Sequence, residues 1–139
     1  MITEAAAGRS AAESYVLDTS AWVEYFQNSP LADKAAAFIN NCPCFTPTIV
    51  VAELQATFLR DGADFSKAFR FIEAKTPVLS LNKKIALAAG KLRFERKKIN
   101  QKWGMSDAIV LATAREIGAK VITGDEDFRF LKAEVVMLT

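Results

Sequence analysis

Apolar residues along the chain follow two alternating rhythms. Short, largely apolar runs at Tyr15 to Leu17, Cys44 to Thr46, Pro77 to Leu81, Lys120 to Thr123 and Val135 to Leu138 have the length of buried strands. Between them the apolar positions recur every three or four residues, the period of a helix buried on one face. That period predicts helices over Ser20 to Gln27, Leu31 to Ile39, Thr48 to Leu59, Phe65 to Ala74, Lys83 to Lys98 and from Ser106 to Gly118, with a helical turn at Glu126 to Leu131. Val50, Val51, Leu54 and Phe58 share one face of the third helix, and Ile85, Ala88, Ala89 and Leu92 share one face of the fifth. Ser20 and Ser106 read as N-caps, Pro30 as the opening of the second helix, and Asp61-Gly62 and Gly118 as helix ends.

Strands separated by one or two helices need crossover connections, and crossovers produce parallel pairing. The expected class is therefore α/β, a three-layer α/β/α fold around a central, mostly parallel five-stranded sheet. A length of 139 residues with 51 % hydrophobic content suits one domain with a sizeable core. We expect a leader over residues 1–13 and a single domain over 14–139. The leader lacks the basic start and continuous apolar stretch of a signal peptide. The uncharged run Ala35 to Ala52 contains Pro43 and Pro47, so it cannot form one spanning helix. The expectation is a soluble, cytoplasmic protein with no membrane partner.

Composition narrows the chemistry. The chain has no histidine, which excludes Ser/His/Asp and Cys/His catalytic pairs and the usual mixed Cys and His zinc site. Cys42 and Cys44 flank a single proline, too close for an ordinary disulfide, and read as small apolar residues. Catalysis, if present, runs on carboxylates, lysine, hydroxyls or a metal.

The informative acids stand alone inside apolar sequence. Asp18 is the only charge between Glu13 and Glu24 and directly follows the first strand. Glu53 is the only charge between Lys34 and Arg60, and Asp107 the only one between Lys102 and Arg115. Asp125 follows the Lys120 to Thr123 strand by two residues, with Glu126 and Asp127 beside it. Asp18 and Asp125 thus lie beyond strand carboxyl ends, the edge where open parallel sheets form sites. Each acid also has a structural reading: Asp18 and Asp107 suit helix starts, and Asp125 suits a turn. Glu53 fits this reading least, because it lies a full turn into its helix with no cation close in sequence, and an unpaired buried carboxylate is costly. One shared divalent cation explains all four, and hard oxygen ligands suit Mg²⁺ or Mn²⁺.

At these residues the sequence resembles the PIN domain family of metal-dependent nucleases, which includes the toxins of VapBC-type toxin–antitoxin pairs. Four blocks carry the resemblance: Val16 to Ser20, Thr48 to Leu54, Ser106 to Ala114, and Thr123 to Phe128. It implies a hydrolase, an endoribonuclease that cleaves RNA with metal-activated water and depends on Mg²⁺ or Mn²⁺. Asp18, Glu53, Asp107 and Asp125 would then be the catalytic and metal-binding acids, with Asp18 and Asp107 the direct ligands. Thr19, Ser20 and Thr123 would orient ligands or water, and Asp127 would support or replace Asp125. The resemblance further implies an RNA substrate, a cognate antitoxin and a homodimer. The leader and the segment Lys97 to Met105 depart from the family pattern.

The small net charge of +2 hides an asymmetry. Residues 83–102 carry eight cations against Glu95 alone, a net of +7, whereas residues 1–82 sum to −3 and 103–139 to −2. A basic arm leading to Asp107 suits an RNA backbone, with Arg96, Lys97, Lys98 and Lys102 as phosphate contacts and Trp103 or Phe94 as a stacking surface. The alternative is a solvated helix face. Phe26, Phe38, Phe58, Phe69 and Phe71 read as core or partner-facing residues. Two other functions compete: an aspartate-based phosphotransfer domain, which needs an acidic pair that Asp18-Thr19-Ser20 does not supply, and a non-catalytic RNA-binding or scaffold module of the same fold.

Overall fold

A computed structural model describes residues 14–139; the expected leader over 1–13 lies outside the described residues. The chain runs β1 (Tyr15–Leu17), α1 (Thr19–Phe26), α2 (Ala32–Asn41), β2 (Cys44–Pro47), α3 (Thr48–Arg60), α4 (Ser66–Lys75) and β3 (Val78–Leu79). It continues through α5 (Lys83–Lys97), α6 (Met105–Ile117), β4 (Lys120–Thr123), a 3-10 segment (Glu126–Glu134) and β5 (Val135–Met137). The sheet order is β3-β2-β1-β4-β5, and all four pairings are parallel. This is the α/β fold expected from the alternating rhythms.

Pairing places β1 at the centre, with Val16 opposite Phe45 on one side and Val121 on the other. The first three strands step outward in one direction, and the chain then crosses back to lay β4 on the opposite side of β1. The β1/β4 junction is therefore the switch point of the sheet, where the carboxyl ends of neighbouring strands diverge and leave a crevice.

Burial follows from that position. Val16, Leu17, Val121 and Ile122 are fully buried, and α6 is buried from Ala108 to Ala114 on every side, as expected for a helix inside a domain rather than on its surface. Gly118, at φ 69°, closes α6 in the left-handed conformation that a side chain disfavours. A directed chain of hydrogen bonds crosses the core: Trp22 Nε1 donates to Thr46 Oγ1 (3.1 Å), which pairs with Thr76 Oγ1 (2.8 Å), which donates to the Ile72 carbonyl (2.9 Å). Since Thr76 gives its proton to Ile72, Thr46 donates to Thr76, and each buried hydroxyl is satisfied.

Several local expectations change. Asp18, not Ser20, is the N-cap of α1, because its carbonyl accepts from Ala21 and Trp22. Gly104, not Ser106, caps α6, since the Asp107 side chain reaches back to the Gly104 N–H. The second helix begins at Ala32 after a turn in which Ser29 Oγ accepts from the Leu31 N–H. β3 shrinks to two residues because only β2 pairs with it. The last helical turn extends to Glu134 across a kink at Leu131.

Candidate active site

The site begins where β1 ends. The Asp18 N–H donates to the Ile122 carbonyl (3.0 Å), which ties the exits of β1 and β4 together. The Asp18 side chain is only 5 % exposed. Its Oδ2 accepts from Thr123 Oγ1 (2.8 Å) and Ser20 Oγ (3.1 Å). The same hydroxyls accept from the loop after β4, Ser20 Oγ from the Gly124 N–H and Thr123 Oγ1 from the Asp125 N–H, both at 2.9 Å. Ser20 and Thr123 therefore clasp Asp18 to the loop that carries Asp125.

The other acids reach the crevice from separate elements. Glu53, on α3, accepts from the Thr19 hydroxyl at the start of α1. Asp107, in the first turn of α6, accepts from the Gly104 N–H through Oδ2 (2.8 Å). Asp125 opens the 3-10 segment, its Oδ1 accepting from the Asp127 N–H (2.9 Å). Asp127 Oδ1 in turn accepts from Asn100 Nδ2 (3.2 Å). Sequence reasoning passed over Asn100, which also closes an Asx turn by accepting from the Lys102 N–H (3.0 Å).

Repulsion links Asp107 to each of the other three acids, and Asp18 to Glu53. Burial raises the Asp18 carboxyl from 3.8 to about 6, against the lowering effect of hydrogen bonds from Thr123, the Thr19 N–H and Ser20, and repulsion from Glu53 adds to the rise. Burial also raises Asp107 to about 7; the Gly104 N–H opposes this, and repulsion from Asp18, Asp125 and Glu53 reinforces it. Among the described residues no lysine or arginine forms an ion pair with any of the four. Nor, among the described residues, do three acidic side chains stand at the spacing of a ready-made metal cage. The donor set still fits a hard divalent cation: its ligands are all oxygen, they repel one another, and no protein cation offsets them.

The basic arm divides in two. Trp103 is 1 % exposed, packed between Phe128 and Phe130 with ring centroids 6.0 Å from each. The expectation that Trp103 offers a stacking face to bases is therefore corrected: its ring is core, held by aromatics far along the chain. Arg96 lies over the Phe130 ring at 3.5 Å and is only partly free. Lys97, Lys98 and Lys102 are exposed and, among the described residues, form no ion pair. Lys98 sits 4.5 Å from the ring of Phe94, which is 67 % exposed.

A parallel sheet of order 3-2-1-4-5 with Asp18 and Asp125 following the two strands at its switch point places the molecule among open α/β proteins. The chain belongs to the PIN domain family, whose profile matches residues 15–133. Solved structures share the fold. A toxin–antitoxin complex from Klebsiella pneumoniae matches at TM-score 0.71 and 22 % identity, over 90 % of this chain and 98 % of that one. VapBC-1 from nontypeable Haemophilus influenzae matches at 0.67 and 24 %, over 90 % and 98 %. DNA-bound VapBC from Salmonella typhimurium matches at 0.71 and 18 %, over 91 % and 99 %. No curated protein matches the chain by sequence. Among the described residues no helix is long and apolar enough to cross a membrane.

Proposed function

We propose that the protein is a Mg²⁺- or Mn²⁺-dependent endoribonuclease and the toxin subunit of a toxin–antitoxin pair. The observation that carries this reading is the repulsion that Asp18, Asp125 and Glu53 exert on Asp107, with the Asp18 and Asp107 carboxyls raised to about 6 and about 7 and, among the described residues, no cation paired with them. Membership of the PIN domain family supports it.

In this reading Asp18 and Asp107 hold the ion directly, with Glu53 and Asp125 assisting. When bound, such an ion lowers the pKa of water and offsets charge on a phosphoryl oxygen, so no imidazole is needed. The protein's own groups do the positioning. Thr123 and Ser20 orient Asp18 through Oδ2, Thr19 orients Glu53, and the Gly104 N–H orients Asp107. Lys97, Lys98 and Lys102 attract the phosphate backbone toward the cleft.

The proposed partner is an antitoxin, as the toxin–antitoxin complexes of the same fold suggest. An apolar cleft of about 180 Å³ lined by Val23, Phe26, Thr57 and Phe58 adjoins a wider one of about 550 Å³ that shares Phe26 and Phe58 and adds Tyr25 and Phe71. Their aromatic walls suit the apolar face of a partner helix. The proposed assembly is a homodimer.

Incubating the purified chain with single-stranded RNA and Mn²⁺, then sequencing the ends, tests the reading. Cleavage that EDTA stops and that Asp18→Asn or Asp107→Asn abolishes without unfolding supports it. RNA left intact but bound by the wild-type chain would favour the non-catalytic module instead.

A further inference from the structure

Asn100 lies in the turn between α5 and α6, and each of its four polar atoms is engaged. Its N–H donates to the Arg96 carbonyl (2.9 Å), its carbonyl accepts from the Trp103 N–H (3.2 Å), and its Oδ1 accepts from the Lys102 N–H (3.0 Å). These three bonds are local and shape the turn that ends at Gly104. The fourth, from Nδ2 to Asp127 Oδ1, reaches 27 residues ahead to the loop after β4.

On one side of Asn100, then, stands Gly104, whose N–H holds Asp107. On the other stands Asp127, whose N–H holds Asp125. Asp107 and Asp125 repel each other and belong to different elements, so something must hold their supports in register. We infer that Asn100 is a positioning residue that fixes the Asp125–Asp127 loop against the α6 N-terminus presenting Asp107. An amide suits this post because it offers an acceptor to its own turn and a donor to a carboxylate at once. Aspartate would keep the acceptor but face Asp127 with a like charge. Through the Arg96 carbonyl the same residue also anchors the end of the basic helix beside the acids. The inference rests on the metal-site reading only where Mn²⁺ is the probe.

The test uses the full chain in two arms. Calorimetric titration with Mn²⁺ compares the wild type with Asn100→Ala, Asp127→Ala and the double variant. Asn100→Ala should weaken binding on the order of tenfold, as loss of a group behind a metal ligand does, and should have a clearly smaller effect in the Asp127→Ala background, where only the bond to Lys102 is left to lose. An equal loss in both backgrounds, or wild-type affinity in Asn100→Ala, overturns the inference. The second arm needs no metal: amide exchange at Gly104 and Asp127 should quicken in Asn100→Ala while the buried amides of β1 and β4 keep their protection. Unchanged exchange at both amides overturns it, even if the wild type binds no Mn²⁺ and the metal reading itself fails. Should Asn100→Ala not fold, Asn100→Asp keeps the acceptor for Lys102, replaces the donor with a charge that repels Asp127, and should quicken exchange at Asp127 at least as much.

Discussion

Replacing Asp18 with asparagine keeps the side chain's shape and removes its charge. The Asp18 carboxyl rises from 3.8 to about 6 in the folded chain, chiefly through burial. A carboxyl that holds its proton more tightly when folded gives the folded state an extra proton between those two values, so stability falls as pH rises through that window and stays reduced above it. The rise corresponds to about 3 kcal/mol of folding free energy. In the variant this loss is absent. Asparagine has one acceptor oxygen where the carboxylate has two, a fixed cost to the variant, so the readout is how the difference between the proteins changes with pH. Urea unfolding in EDTA, from about pH 4 to about pH 7, should show the variant gaining about 2 kcal/mol relative to the wild type, most of the full effect. Parallel curves across that range would refute burial of an uncompensated charge at Asp18.

Three further outcomes follow from the packing and the basic arm. Trp103→Ala should cost about 3 to 5 kcal/mol in urea unfolding, because the ring fills core beside Phe128 and Phe130; a cost near zero would return Trp103 to the surface. Thr46→Val removes the acceptor for Trp22 Nε1 and the donor to Thr76, and should cost about 1 to 3 kcal/mol, read by the same unfolding curves. Replacing Lys97, Lys98 and Lys102 together with alanine should reduce the salt dependence of single-stranded RNA binding by about 2 in log–log slope, at about 0.7 per phosphate contact. Fluorescence anisotropy in EDTA measures it, and an unchanged slope would mean these lysines are merely solvated.

The legible parts of the molecule were those set by local pattern. β1 and β4 are short apolar runs whose bounds survive folding unchanged, and the helices between the strands required the parallel sheet. Asp18, Glu53 and Asp107 stood out because each interrupts a long uncharged stretch; Asp18 is buried, and Glu53 and Asp107 are half-buried. What stayed hidden depends on residues distant along the chain. Trp103 sits in a basic, polar segment and reads as exposed, yet Phe128 and Phe130 enclose it. The resemblance singled out Ser20 and Thr123 as orienting groups, but not their shared bond to Asp18 Oδ2, which joins residues more than a hundred positions apart. Ser106 carries the expected cap chemistry, but Asp107 one position later reaches Gly104 and sets the helix start. Asn100 drew no reading at all, because its partner Asp127 lies 27 residues further along the chain.

If the acids at the β1/β4 junction form a divalent-metal site, Mn²⁺ calorimetry on the whole chain will register it. With Asp18 near 6 and Asp107 near 7, binding at about pH 6.5 must displace protons that these carboxyls still hold. Titrations in buffers of different ionisation enthalpy should therefore show Mn²⁺ binding with proton release in the wild type, and a loss of binding in Asp18→Asn and Asp107→Asn. No heat and no thermal stabilisation of the wild type at millimolar Mn²⁺, or undiminished binding in both variants, would contradict it.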